Sequence, residues 1–192
     1  TQTKLGDIGY TDVNGDGKID GEDQVRIGKP TMPHFTYAFD FSLGYEGFTL
    51  SGLLYGTGER YMTFGNRYQS GEGKYLYYEN QLNYWRPDNT GADFPRISIS
   101  SGVNGNNNKA GSTFWMRNAS YLRLKDLQLS YDFKYKYLKK CDWLQTCRVN
   151  LSGSNLFTIS GVSKFFDPET SSTSGDGYPV QRVYSIGVTI GF

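Results

Sequence analysis

Phe35-Thr36-Tyr37-Ala38-Phe39-Asp40-Phe41-Ser42-Leu43-Gly44-Tyr45 alternates without a break. The odd positions carry six large apolar or aromatic side chains, and the even ones carry Thr, Ala, Asp, Ser and Gly. A period of two puts successive side chains on opposite faces of a β-strand. The Glu46-Gly47 pair reads as a tight turn. A second alternating run then carries Phe48, Leu50 and Leu54 on one face, so the two runs predict a β-hairpin.

Further along, Tyr121 to Phe133 alternates through Leu122 and Leu124 and resumes with Leu127, Leu129, Tyr131 and Phe133. The phase slips by one at Lys125-Asp126, which predicts a β-bulge or the edge of an apolar band. Arg148 to Phe157 is a weaker strand through Val149, Leu151 and Gly153. Val183 to Phe192 alternates Tyr184, Ile186, Val188, Ile190 and Phe192 against Ser185, Gly187, Thr189 and Gly191. Composition agrees with strands. The 192 residues hold 24 Gly and are 16% aromatic, against four Ala, the best helix former.

The connections are uneven. Those at 45–47 and 134–147 are short or moderate, whereas 1–34, 58–118 and 159–181 are long and rich in Gly, Asn and Ser. Outer-membrane barrels show this asymmetry, with long loops outside and short turns in the periplasm. Residues 1–34 therefore read as an extracellular loop and 35–192 as barrel strands, with long outer loops at about 58–118 and 159–181. The non-apolar faces of the first and last strands are mostly Gly, Ser, Thr and Ala, which suits a polar lumen, while the aromatic face suits lipid. An eleven-residue strand also matches the roughly 9–11 needed to cross a bilayer at a tilt.

The fold expected is thus all-β, an antiparallel transmembrane β-barrel segment of about five strands. Five strands do not close a bacterial barrel, which starts at about eight, so partner strands are expected from elsewhere. The opening Thr1-Gln2-Thr3 carries no Met and no signal-peptide core, and the chain reads as a piece of a longer one. The competing reading is a secreted, calcium-stabilised β-sandwich that binds carbohydrate without transporting it.

One motif carries chemistry. Asp12-Val13-Asn14-Gly15-Asp16-Gly17-Lys18-Ile19-Asp20-Gly21-Glu22-Asp23 follows the EF-hand calcium-loop template. Oxygen ligands fall at Asp12, Asn14, Asp16, Asp20 and Asp23, with the Lys18 carbonyl between them and Gly17 at the sharp turn. Ca²⁺ takes six to eight hard oxygens, and alternate residues of a curled loop point them inward. The last ligand is Asp rather than the usual Glu, as in dockerin-type loops. The expected role is structural.

No catalytic constellation appears, and an enzyme is not expected. His34, the single histidine, stands beside Pro33 at a strand entrance and reads as positional. A net charge of +1 provides no broad footprint for nucleic acid. Cys141 and Cys147 read either as a local disulfide or as two incidental thiols.

Several segments together resemble the carboxy-terminal region of SusC/RagA-like TonB-dependent outer-membrane transporters. They include Gly6-Asp7-Ile8-Gly9-Tyr10-Thr11 running into the calcium loop, Ile27-Gly28-Lys29-Pro30, Tyr45-Glu46-Gly47-Phe48 and Trp85-Arg86-Pro87-Asp88-Asn89. Ser120 to Leu127, Ser154-Asn155-Leu156-Phe157, Phe166-Asp167-Pro168-Glu169 and Gly187 to Phe192 continue the likeness in order. Ala38, where Gly is common, and the two cysteines depart from the pattern. The resemblance implies a barrel of about 22 strands, plugged by an amino-terminal domain, in the outer membrane of a Gram-negative bacterium. It also implies import of glycans or, in some members, peptides, with a SusD-like surface lipoprotein as lid, the TonB complex as energy source and lipid around the barrel. The plug and the TonB-contacting segment are absent from these residues.

Within 58–118, Tyr61, Tyr68, Tyr75, Tyr77, Tyr78 and Trp85 stand near Arg60, Arg67 and Arg86. Aromatic faces stack on sugars and anchor protein interfaces, but they also form the girdles of barrels and the packing of large loops. The sequence leaves both readings open.

Overall fold

The computed structural model describes residues 3–69, 77–97, 107–170, 173 and 177–192. Its strands are β1 (Phe35–Tyr45), β2 (Phe48–Gly58), β3 (Tyr61–Thr63), β4 (Met116–Asn118), β5 (Tyr121–Asp132), β6 (Thr146–Ser160) and β7 (Val183–Gly191). Five of them form one sheet in the order β1-β2-β5-β6-β7, every pair antiparallel. β3 and β4 form a separate two-stranded ladder inside a region expected to be loop. β6 starts two residues before and ends three residues after the expected Arg148–Phe157. Its outer ends carry Cys147 and Ile159, which the weak alternation did not reveal.

Register shows why the alternation matters. Leu43, Leu50, Leu129, Leu151 and Ile186 lie in one row across all five strands, and the adjacent row is Ser42, Ser51, Gln128, Ser152 and Ser185. One face of the sheet is therefore aliphatic and aromatic, and the other is small and polar. The apolar face is exposed: Phe39, Leu43, Tyr184, Ile186 and Val188 are all more than half accessible. No second sheet covers it among the described residues, as a sandwich would require. Eleven residues at about 3.3 Å each make roughly 36 Å of strand, or about 25 Å of height at a 45° tilt.

The phase slip at Lys125-Asp126 is a β-bulge. Leu124 pairs with Leu54 and Phe157, Asp126 pairs with Leu53 and Ser154, and Lys125 is the extra residue. The insertion keeps Leu122 and Leu124 on the same face as Leu127 and Leu129. It also aims Lys125 toward the polar side, where its Nζ meets Glu169 Oε1 at 2.8 Å.

The Glu46-Gly47 turn has positive φ at both residues, 47° and 84°. That is the geometry of a two-residue type I′ hairpin, whose twist matches the flanking strands. Gly47 accepts the Asp132 amide at 2.8 Å, so this turn lies against the connection following β5. Both short connections thus stand at one end of the sheet, and the three long segments gather at the other.

The buried core is built by those long segments. Ile8, Met62, Phe64, Tyr68, Phe94, Trp115, Ala119, Val162 and Phe166 form one cluster. Phe64 is its centre, with ring centroids of Tyr68 and Phe165 at 4.8 and 4.9 Å and those of Phe166, Phe94 and Trp115 at about 6 Å. Trp115 is 1% exposed, and its indole N–H donates to the Asn108 carbonyl at 2.8 Å.

Candidate functional site

The Asp12–Asp23 loop is curled by its own side chains. Asp12 accepts the Gly15 and Gly17 amides at 2.6 and 2.8 Å, Asn14 accepts Asp16 N–H at 3.0 Å, and Asp16 accepts Lys18 N–H at 2.8 Å. Asp23 accepts the Val13 and Asp20 amides at 2.8 Å each, tying the loop's two ends together. These backbone hydrogen bonds hold the Asp23 carboxyl below its ordinary pKa. Gly15 and Gly17 have φ of 78° and 80°, a region where a side chain would add strain. Carboxylate oxygens have spare lone pairs, so bonding to amides is compatible with binding a cation. Among the described residues, however, no three His, Cys, Asp or Glu side chains converge as metal ligands.

Just before this loop, Gly6-Asp7-Ile8 is docked into the loop core. Gly6 has φ 86°, and a Cβ there would lie 2.3 Å from the Trp85 ring. Asp7 is bound by Arg96 at 2.8 and 3.3 Å and by Asn108 Nδ2 at 3.0 Å. Ile8 sits in the core, and its amide donates to Asn108 Oδ1 at 2.8 Å. No local pattern marks Arg96 or Asn108, because their partner Asp7 lies 89 and 101 positions away.

The aromatic residues singled out in 58–118 part company. Tyr68 is 3% exposed inside the core, with its hydroxyl donating to the Phe165 carbonyl at 2.8 Å. Tyr78 packs on the core's rim, Trp85 lies over Gly6, and Tyr61 lies under the Lys29 ammonium at 4.6 Å. Tyr77 is 40% exposed, and Tyr75 falls outside the described residues. His34 Nδ1 meets Glu59 Oε2 at 2.5 Å, joining the entrance of β1 to the end of β2. Cys141 and Cys147 are free thiols.

A second polar centre was not anticipated. Arg123, on the polar face of β5, is 1% exposed. Its guanidinium donates to Thr158 Oγ1 at 2.8 Å, Glu169 Oε2 at 2.6 Å and Asp167 Oδ2 at 2.5 Å. Tyr121 donates its hydroxyl to Glu169 Oε1 at 2.6 Å, and Arg60 donates to the Pro168 carbonyl. Burial pushes the Glu169 carboxyl up, but Lys125, Tyr121 and Arg123 outweigh it and hold the pKa below the ordinary value. Phe166-Asp167-Pro168-Glu169 is thereby clamped to the sheet. Beside the clamp lies a cavity of about 360 Å³.

No family model matches the chain. Among curated proteins, it is 27% identical over 196 residues to TonB-dependent receptor P3 of Formosa agariphila, covering 95% of this chain and 19% of that receptor. It is likewise 27% identical over 202 residues to TonB-dependent receptor P26 of the same organism, covering 98% of this chain and 20% of the receptor. The RagAB peptide importer in its open-open state superposes with a TM-score of 0.67 at 27% identity, covering 91% of this chain and 19% of the other. Its closed-closed state gives 0.69 at 27% identity, covering 96% and 20%. The chain spans about a fifth of the length of the proteins it matches. In sequence and in fold alike, these 192 residues are similar to part of a TonB-dependent receptor, consistent with a SusC/RagA-like segment.

Proposed function

We propose that the chain forms part of the wall and outer loops of an outer-membrane transporter that imports nutrients. The observation that carries this reading is the register: apolar rows run unbroken across five strands on an exposed face, with small polar rows on the other. Such a face suits lipid and such a back suits a wet lumen. Both outer edges, of β1 and β7, lack a partner within the described sheet, and in a bilayer unpaired strand edges cost several kcal/mol per group. Further strands would pair with them in a barrel of about 22. A plug domain coupled to the TonB complex and a SusD-like lipoprotein at the mouth would complete the machine. On this reading residues 1–34, 58–118 and 159–181 face outward, and the turn at Glu46-Gly47 faces the periplasm. Tyr77, with the half-buried Tyr61, Tyr78 and Trp85, is then placed for cargo or lipoprotein contact.

The solved neighbours are two states of one peptide importer. That favours an oligopeptide cargo over the glycan that the family resemblance put first. The Asp12–Asp23 loop is assigned one structural Ca²⁺, held by Asp12, Asn14, Asp16, Asp20, Asp23 and the Lys18 carbonyl.

A test deletes the gene that encodes this chain and supplies oligopeptides or oligosaccharides as sole nutrient. Lost growth on one class, restored by the intact gene, together with co-purification of a surface lipoprotein, is expected. Unchanged uptake of both classes, or recovery of the protein from the soluble fraction without detergent, would overturn the proposal.

A further inference from the structure

The cavity beside the Arg123 clamp opens on the polar face of the sheet, between that face and the segments around 163–168 and 179–182. Two exposed cations line it, Lys164 and Arg182. Among the described residues neither side-chain cation has an ion pair or hydrogen bond. The backbone beside each is anchored. The Lys164 carbonyl accepts from Asn80 Nδ2 at 3.1 Å, and the Gln181 carbonyl, one residue before Arg182, accepts from Asn155 Nδ2 at 3.2 Å. Asn155 stands in the left-handed region at φ 56°, opposite the bulge, and also lines the cavity. A strained residue at a bulge beside a cavity is a common mark of a binding wall.

The third cation of the lining, Arg123, is neutralised by Asp167 and Glu169. Asp167, the one acid of the lining, has one oxygen on Arg123 and the other on the Glu169 amide at 2.8 Å. The charge left over is therefore positive, from Lys164 and Arg182. The rest of the wall is mixed: Phe165, Phe166, Pro168, Pro179 and Val180 are apolar, and Asn155, Thr158 and Ser163 are polar and uncharged.

We infer that this cavity binds a carboxylate borne by a partly apolar molecule, with Lys164 and Arg182 holding the anion and Phe165 lying against its body. A peptide's terminal carboxylate and a uronic acid share that chemistry. The inference rests on the transport reading only for the cavity's place along the cargo route.

The probes are N-acetyl-leucyl-phenylalanine, its carboxamide, and digalacturonate, titrated calorimetrically into the detergent-purified protein that carries this chain. At least one acid should bind, and whichever does names the carrier. The carboxamide should bind at least about tenfold more weakly than the dipeptide acid, since a charge-assisted hydrogen bond is lost. Lys164→Gln with Arg182→Gln should weaken the acid by at least about tenfold, while Lys164→Arg with Arg182→Lys, which keeps both charges, should stay within about threefold. Binding of neither acid, equal binding of acid and amide, or indifference to the charge-removing pair in a protein that melts normally would overturn the assignment. Uptake by cells is followed in parallel. Uptake without binding overturns the cavity and leaves transport standing, and binding without uptake does the reverse.

Discussion

Arg96 grips Asp7 across 89 positions of sequence, its Nε on Oδ1 at 2.8 Å and its Nη2 on Oδ2 at 3.3 Å. The pair closes the amino-terminal segment onto the loop core, with the Arg96 amide also donating to the Gly6 carbonyl at 2.8 Å. The Asp7 side chain is 1% exposed, so its charge has left water and depends on this partner. Asp7→Ala should free residues 3–10 and cost about 3 kcal/mol, the usual penalty for orphaning one member of a buried pair. Hydrogen exchange of the Gly6–Ile8 amides measures it. Unchanged protection would mean that Ile8 alone anchors the segment.

Acid should release the same contact. Burial raises the Asp7 carboxyl, but hydrogen bonds from Arg96, the Lys4 amide and Asn108, with the Arg96 charge, bring it below the ordinary value. A depressed folded-state pKa adds stability that is complete above the unfolded pKa of about 3.9 and is lost as pH falls through the folded one. Protection of the segment should therefore be flat at neutral pH and fall only below about pH 4. A loss centred near pH 6 would point to a different group.

Phe64 is the hub of the loop core. Phe64→Ala should destabilise the outer loops by about 3–5 kcal/mol, the cost of a large aromatic cavity. The five-stranded ladder contacts other residues and should persist. Proteolysis in 58–118 with an intact, heat-modifiable barrel band is the expected pattern, and simultaneous loss of the band would show that loops and sheet fold as one unit.

The calcium loop can be titrated directly. At a hundredfold excess over its dissociation constant, a bound ion stabilises the folded loop by about 2.7 kcal/mol. Calcium should protect 10–24 from protease, chelation should remove the protection, and Asp16→Ala should abolish the difference. Equal cleavage with calcium and with chelator would leave the loop as an amide-bonded turn.

Deleting Lys125 tests the bulge. Without the extra residue, either Leu122 and Leu124 or Leu127, Leu129 and Tyr131 must turn to the polar face. Assembly into membranes should fall to near background. Lys125→Ala keeps the count and loses only the contacts with Glu169 and the Tyr55 ring, and it should assemble.

The strands were legible because their information is local. Phe35 to Tyr45 states its face, its length and its end at Glu46-Gly47 within thirteen residues, and the slip at Lys125-Asp126 announces a bulge by phase alone. β6 is less legible because Gly153, Asn155 and the out-of-phase Leu156 blur its alternation around the second half of that bulge. β3 and β4 escaped because three-residue strands have no measurable period.

By itself, then, the sequence determined the sheet: which side chains share a face, where the chain turns, and that the Asp12–Asp23 loop must curl through its glycines. Each of these follows from backbone geometry acting over a few residues. Only the tertiary structure decided the fate of the long segments. It buried Tyr68 and Phe64 in a core, left Tyr77 outside, joined Asp7 to Arg96, and set Arg123 between Asp167 and Glu169 beside an open cavity. Those outcomes depend on desolvation and pairing between residues tens of positions apart, and no local period encodes which distant partner will offset the cost of burying a charge.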